Sequence, residues 1–171
     1  YAVIERCNIA ISRLPTMASS TKRDALLAEA KAIRAFCYYN LIRVYGDVPA
    51  IWIPLEEADP NDQNTFYPKR TSRDVIYDKV IGDIQGSVNS MPISNGTPER
   101  LNKQSTNALL ARIALYAAGY SLRWDLNTGS AGTMSRRPDN ARVQQLYQIA
   151  DAAAASVING GTNSLVQAQG G

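Results

Sequence analysis

Glu56, Glu57, Asp59 and Asp62 gather in one short, proline-containing stretch, so carboxylate chemistry is the first to weigh. Glycoside hydrolysis needs two carboxylates held across a cleft. Neighbours in a loop have no framework that would hold them so, and no catalytic residue is expected here. Asp59-Pro60-Asn61-Asp62 is rich in oxygen ligands, but the EF-hand spacing, with its Gly and its bidentate Glu, is missing. The chain has no histidine, which removes the commonest general base and the commonest metal ligand. Cys7 and Cys37 cannot form a zinc site alone. Both fall in apolar helical patterns and read as buried free thiols rather than as a disulfide. The expectation is a chain without enzymatic activity, metal or cofactor.

Recognition chemistry is better represented. Trp52 lies in a proline-bounded loop, where a flat ring can cover the apolar face of a sugar while nearby amides bind hydroxyls. Its other reading is a plug that packs the loop onto the helices. Trp124, between Arg123 and Asp125, offers the same choice between ligand and packing or partner contact. Asn61, Asn64 and Tyr67, with Asp62 and Gln63, supply polar groups for hydroxyls, against the alternative of a solvated loop. The candidate ligand-binding set is therefore Trp52, Asn61, Asn64, Tyr67 and Trp124. Tyr38, Tyr39 and Tyr45 stand at helical spacing and read as core. Arg34 and Arg43 read as members of internal ion pairs, with Asp47 or Glu29 as partners for Arg34.

The composition narrows the partners. The chain has 171 residues, 45% of them hydrophobic, which suits one domain spanning residues 1–171. Its net charge is only +3 and its basic residues are dispersed, so no nucleic-acid footprint is visible. No apolar run approaches the roughly 20 residues that span a bilayer. The chain begins at Tyr1, already in a helical pattern, and trails off from Gly160-Gly161 to Gly170-Gly171. It reads as a segment of a longer polypeptide.

Helices must position these residues. Val3, Cys7, Ala10 and Leu14 mark one face of a first helix that Pro15 ends. Thr21 is the expected N-cap of a second, running from about residue 22 to 45. Leu26, Ala30, Ile33, Cys37, Leu41 and Val44 form one stripe on it, and Ala28, Ala32, Ala35, Tyr39 and Ile42 the opposite one. A helix apolar on two sides packs between neighbours. Gly46 and Pro49 stop it.

Residues 46 to 71 form a long, locally acidic excursion, with Ala50 to Pro54 as a possible edge strand. A third helix starts with a Thr71-Ser72-Arg73-Asp74 capping pattern and buries Ile76, Val80, Ile84, Val88 and Met91. Its Gly82 and Gly86 predict close contact with another helix. A fourth helix covers about 103 to 120, with Ala108, Ala111, Leu115 and Ala118 on one side and Leu109, Ile113 and Tyr116 on another. A second excursion, 121 to 137, leads to a fifth helix with Pro138 in its first turn and Val143, Leu146, Ala150, Ala153 and Val157 inward. The fold class is all-α, with tetratricopeptide-like antiparallel helix pairs and two long loop excursions.

The second helix and its stop, Glu29 to Pro49 (EAKAIRAFCYYNLIRVYGDVP), resemble the hallmark segment of the SusD/RagB-like proteins. Further blocks follow in the family's order: Arg70-Thr71-Ser72-Arg73-Asp74-Val75-Ile76-Tyr77, then Asp83-Ile84 with Met91-Pro92, then Ala108 to Tyr116 (ALLARIALY). Four ordered blocks are more specific than one. The resemblance covers roughly residues 8 to 165. It implies the N-terminal helical portion of a lipid-anchored, outward-facing outer-membrane lipoprotein that takes up nutrients. Such a protein binds oligosaccharide or peptide ligands, works with a SusC-like TonB-dependent transporter and is not an enzyme. It further implies a right-handed helical scaffold, much of whose ligand site comes from loops. The lipid anchor would lie outside this segment, because Ile4-Glu5-Arg6 before Cys7 lacks the character of a lipoprotein cleavage site. Two other classes compete. A peptide-gripping repeat adaptor predicts a regular 34-residue spacing that the excursions break, and a glycan-active enzyme predicts fixed acid and base groups.

Overall fold

The structure is a computed structural model that describes residues 1–94, 97, 99–130 and 132–160. The terminal glycines beyond 160, where the sequence trails off, lie outside the described residues. Five long helices follow in order: α1 (Ala2–Arg13), α2 (Thr21–Tyr45), α4 (Arg73–Gln85), α5 (Lys103–Ala118) and α6 (Asn140–Ile158). The one-turn α3 (Gln63–Phe66) sits inside the first excursion. Each long helix packs on the next, in the all-α, tetratricopeptide-like arrangement expected.

Capping side chains set most of the starts. Ser20, Ser72, Asn102 and Asp139 each accept a hydrogen bond from a first-turn backbone N–H, which is worth about 1 kcal/mol apiece. Asn102 and Ser105 close a reciprocal capping box. Ser20, not Thr21, therefore caps α2, and Asp24 pairs with Arg23 instead of closing a box. Pro138 lies just before the Asp139 cap, outside the first turn of α6.

The core runs along the alanine side of α2. Ala28, Ala32 and Ala35 are fully buried with Tyr38, Tyr39 and Ile42, against Ile76, Val80, Ile81 and Ile84 of α4 and Ile113, Ala114 and Ala117 of α5. Small side chains there let neighbouring helices approach. The other stripe of α2 is only partly covered, and Val44 at its end is 72% exposed. Tyr38 and Tyr39 are core as expected, whereas Tyr45 is exposed because the helix ends before anything covers it. On α1 the inward face is Ile4, Cys7 and Asn8 rather than Val3. On α5, Ala108, Leu115 and Tyr116 turn outward.

Gly82 makes no close helix contact: a side chain there would meet open space. Gly86 caps the end of α4, before a 3-10 turn at Val88–Ser90. The expected edge strand at 50 to 54 is absent. The excursion is instead closed at its root, where β1 (Val48–Pro49) pairs antiparallel with β2 (Arg70–Thr71). The second excursion is an antiparallel hairpin of β3 (Ser121–Arg123) and β4 (Thr133–Ser135). No helix among the described residues is long and apolar enough to cross a membrane.

Candidate ligand-binding site

The first excursion is fastened to the helices by polar contacts whose partners are far apart in sequence. At its entrance Gly46 adopts φ +73°, a region that disfavours side chains. A Cβ there would come within 2.5 Å of the Arg73 guanidinium. The turn delivers Asp47 to the start of α4, where its carboxylate accepts from the Arg73 backbone N–H at 2.8 Å and from Nε at 3.3 Å. Arg73 also donates to the Leu122 carbonyl at 2.6 Å, so one guanidinium links both excursions.

Further along, the Tyr38 hydroxyl donates to the Ile51 carbonyl at 2.9 Å and accepts from the Ile51 N–H at 2.7 Å. Buried Asn8 donates to the carbonyls of Ile51 and Ile53. Arg34 donates to Asn8 Oδ1 at 2.8 Å and to the Trp52 carbonyl at 3.3 Å, and pairs with Asp83 at 2.6 Å. The expected partners of Arg34 are thus corrected: Asp47 serves Arg73, and Glu29 pairs with Arg100. Among the described residues Arg43 enters no ion pair; it stacks over the rings of Tyr39 and Tyr116. Glu56 and Glu57 are tethers to Arg13 and Ser12 of α1, not a facing pair.

Trp52 is half-buried, with its ring centroid 4.7 Å from that of Tyr38, tilted by 44°, and the Arg34 guanidinium 5.2 Å away. It also lines a cavity of about 530 Å³ between α1 and the excursion, together with Tyr1, Ile4, Leu55, Asp62 and Asn64. Packing against Tyr38 and a place on the cavity wall therefore coexist at this residue. Asn64 reaches the cavity from α3, where its backbone and side-chain nitrogens donate to the Asp62 carboxylate, each at 2.9 Å. Asn61 makes the analogous turn with Asp59, and Tyr67 is 83% exposed. Neither lines this cavity.

Trp124 belongs to a different concavity, a cleft of about 620 Å³ where the C-terminal ends of α2 and α5 meet β3. Arg43, Tyr45, Arg70, Tyr116 and Tyr120 line it beside Trp124, which is 42% exposed. Tyr39 and Tyr116 meet edge to face at 5.2 Å. Tyr116 was legible only as a helix-face residue, and Tyr120 carried no prior role. Tyr116 in the last turn of α5, Tyr120 two residues beyond its end and Tyr45 at the end of α2 together mark the cleft. The five expected residues thus do not form one site: Trp52 and Asn64 share a cavity, Trp124 faces the cleft, and Asn61 and Tyr67 line neither.

Burial favours the neutral forms of several titratable groups. Burial pushes the Cys7 thiol up to about 11 and raises that of Cys37, and both are free. Burial likewise raises the Tyr38 phenol to about 12. Among the described residues, no group of three or more His, Cys, Asp or Glu is placed to hold a metal ion.

A SusD-like family model, described as "Starch-binding associating with outer membrane", matches residues 1–115. SusD-like protein P2 of Formosa agariphila is 30% identical over 116 residues, which is 67% of this chain and 22% of that protein. The chain spans about a fifth of the length of the curated relatives it matches. A SusD superfamily protein from Parabacteroides distasonis superposes with a TM-score of 0.73 at 24% identity, covering 95% of this chain and 30% of that one. A laminarin-binding SusD-like protein superposes at 0.64 and 24% identity, covering 96% and 29%. At these identities the superpositions establish the fold.

Proposed function

The chain belongs to the SusD-like family, and from that premise we propose that it is part of a cell-surface component that captures oligosaccharide or peptide nutrients. It hands them to a SusC-like TonB-dependent transporter, and it is held at the outer membrane, facing outward, by a lipid anchor outside this segment. Its role is binding rather than catalysis, which agrees with carboxylates committed to tethers and turns and with thiols kept protonated by burial. The laminarin bound by one fold relative makes glycan the leading ligand class.

The observation that carries this reading is the fastening of Trp52. Its carbonyl is held by Arg34, its ring rests by Tyr38, and the same residue walls a cavity beside Asp62 and Asn64. An aromatic ring held in place loses little freedom on binding, so its contact with a sugar face is favoured over that of a mobile ring. Asn64, and Tyr67 and Asn61 nearby in the chain, are the hydroxyl-binding candidates, with Trp124 as a second aromatic platform.

The partnership is tested by purifying the full-length protein from its native membrane. Co-purification of a large β-barrel transporter supports the reading. Isolation of the protein alone, under conditions that preserve other outer-membrane complexes, counts against it.

A further inference from the structure

Most of the arginines in this molecule are neutralised. Arg13, Arg23, Arg34, Arg100, Arg123, Arg137 and Arg142 each pair with a carboxylate. The cleft between the ends of α2 and α5 is different. Three arginines and no Asp or Glu line it. Arg73 is satisfied by Asp47, but neither Arg43 nor Arg70 has a carboxylate partner among the described residues. Arg136, also without one, lies over the ring of Tyr120 at 4.8 Å.

The rings share this space. Arg43 lies 5.3 Å from the centroid of Tyr39 and 5.5 Å from that of Tyr116, which holds a planar cation in place without neutralising it. Tyr45, Tyr120 and Trp124 stay exposed around it. A guanidinium fits a carboxylate or a sulfate through two parallel hydrogen bonds. Exposed aromatic rings fit the apolar faces of sugar rings. The combination selects a ligand that carries both.

We propose that this cleft binds an acidic oligosaccharide, with Arg43 and Arg70 taking its carboxylate or sulfate groups and Tyr120 and Trp124 its sugar faces. The inference rests on the nutrient-binding reading above and narrows the substrate class. It also separates two sites: one beside Trp52, without a free cation on its wall, and one beside Trp124 built around free cations.

The test is calorimetric titration of the full-length protein and of its Arg43→Gln/Arg70→Gln variant. The probes are oligogalacturonate, a sulfated carrageenan oligosaccharide, and neutral malto- and laminari-oligosaccharides, at about 20 and about 200 mM NaCl. Binding of either acidic probe is expected to weaken roughly tenfold or more in the double variant and to weaken with salt in the parent. Whichever acidic probe binds identifies the group as carboxylate or sulfate. Arg70→Lys, which keeps the charge but not the planar fork, is expected to fall between parent and double variant. A matching thermal melt shows that the double variant is folded. Binding of neutral probes alone, or acidic binding that the double variant retains, overturns this inference and leaves the nutrient-binding reading in place. Binding of no probe counts against both.

Discussion

Arg34 on α2 and Asp83 on α4 form a buried ion pair 2.6 Å apart, with side chains only 3% and 11% exposed. The same guanidinium reaches Asn8 on α1 and the backbone of Trp52. One side chain therefore joins three helices to the loop that carries the candidate binding ring. Asp83 receives a second cation from Lys79, four residues earlier on its own helix.

Removing one member of this pair strands the other in a poorly solvated place. Arg34→Met is expected to destabilise the protein by about 3–5 kcal/mol, because Asp83 and Asn8 lose their donor. The double variant Arg34→Met/Asp83→Leu is expected to lose less than the single one. Urea unfolding of the full-length protein, followed by limited proteolysis around residues 50–57, measures both effects. Equal stability of parent and Arg34→Met would remove the structural role assigned here.

Gly46 has two reasons to be glycine: a φ of +73°, and an Arg73 guanidinium where a Cβ would stand. Gly46→Ala is expected to cost about 1–3 kcal/mol in backbone strain. It should also loosen the donation from Arg73 to the Leu122 carbonyl. A lower melting temperature, with faster amide exchange at the roots of both excursions, is the expected signature. A change confined to the first excursion would contradict the linkage through Arg73.

Asp78 links α4 to the start of α6. Burial alone would raise its carboxyl, but hydrogen bonds from Arg137 and Arg142 outweigh that and leave it below the ordinary carboxylate value. A depressed value in the folded state means that the contribution is complete above the unfolded value, about 4. It is then lost as pH falls through the lower folded value. Stability should therefore be flat in this respect near neutral pH and decline in acid. Asp78→Asn should lower stability at pH 7 and flatten the acid decline. An unchanged acid profile in that variant would show that other carboxylates govern it.

The parts that were legible in the sequence are those with local causes. The helix stops at Gly46 and near Pro15, a capping run at 71–74, and the inward stripe of α4 follow from residues a few positions apart. The pairing partners of Arg34, Asp47 and Glu29 were not legible, because each bridges elements 26 or more residues apart and several carboxylates fit equally well by charge. The strand at the loop root was misplaced for a related reason. Ala50 to Pro54 has the apolar composition of a strand, yet its backbone groups go to Tyr38 and Asn8 side chains, while Val48 and Pro49 pair with residues beyond the loop. For the same reason Trp52, Asn61, Asn64, Tyr67 and Trp124 could be singled out as loop residues, but not sorted between two separate concavities and open surface.

The central claim is that Trp52, fixed by Arg34 and Tyr38, forms part of a nutrient-binding surface. Its most direct test is calorimetric titration of the full-length protein and its Trp52→Ala and Trp52→Phe variants with laminari-, malto- and xyloglucan oligosaccharides and with peptides. The account predicts saturable binding by the parent, a loss of roughly tenfold or more in Trp52→Ala, and partial retention in Trp52→Phe, which keeps an aromatic face. Binding that is unchanged in a folded Trp52→Ala variant, or no binding of any such ligand by the parent, would contradict it.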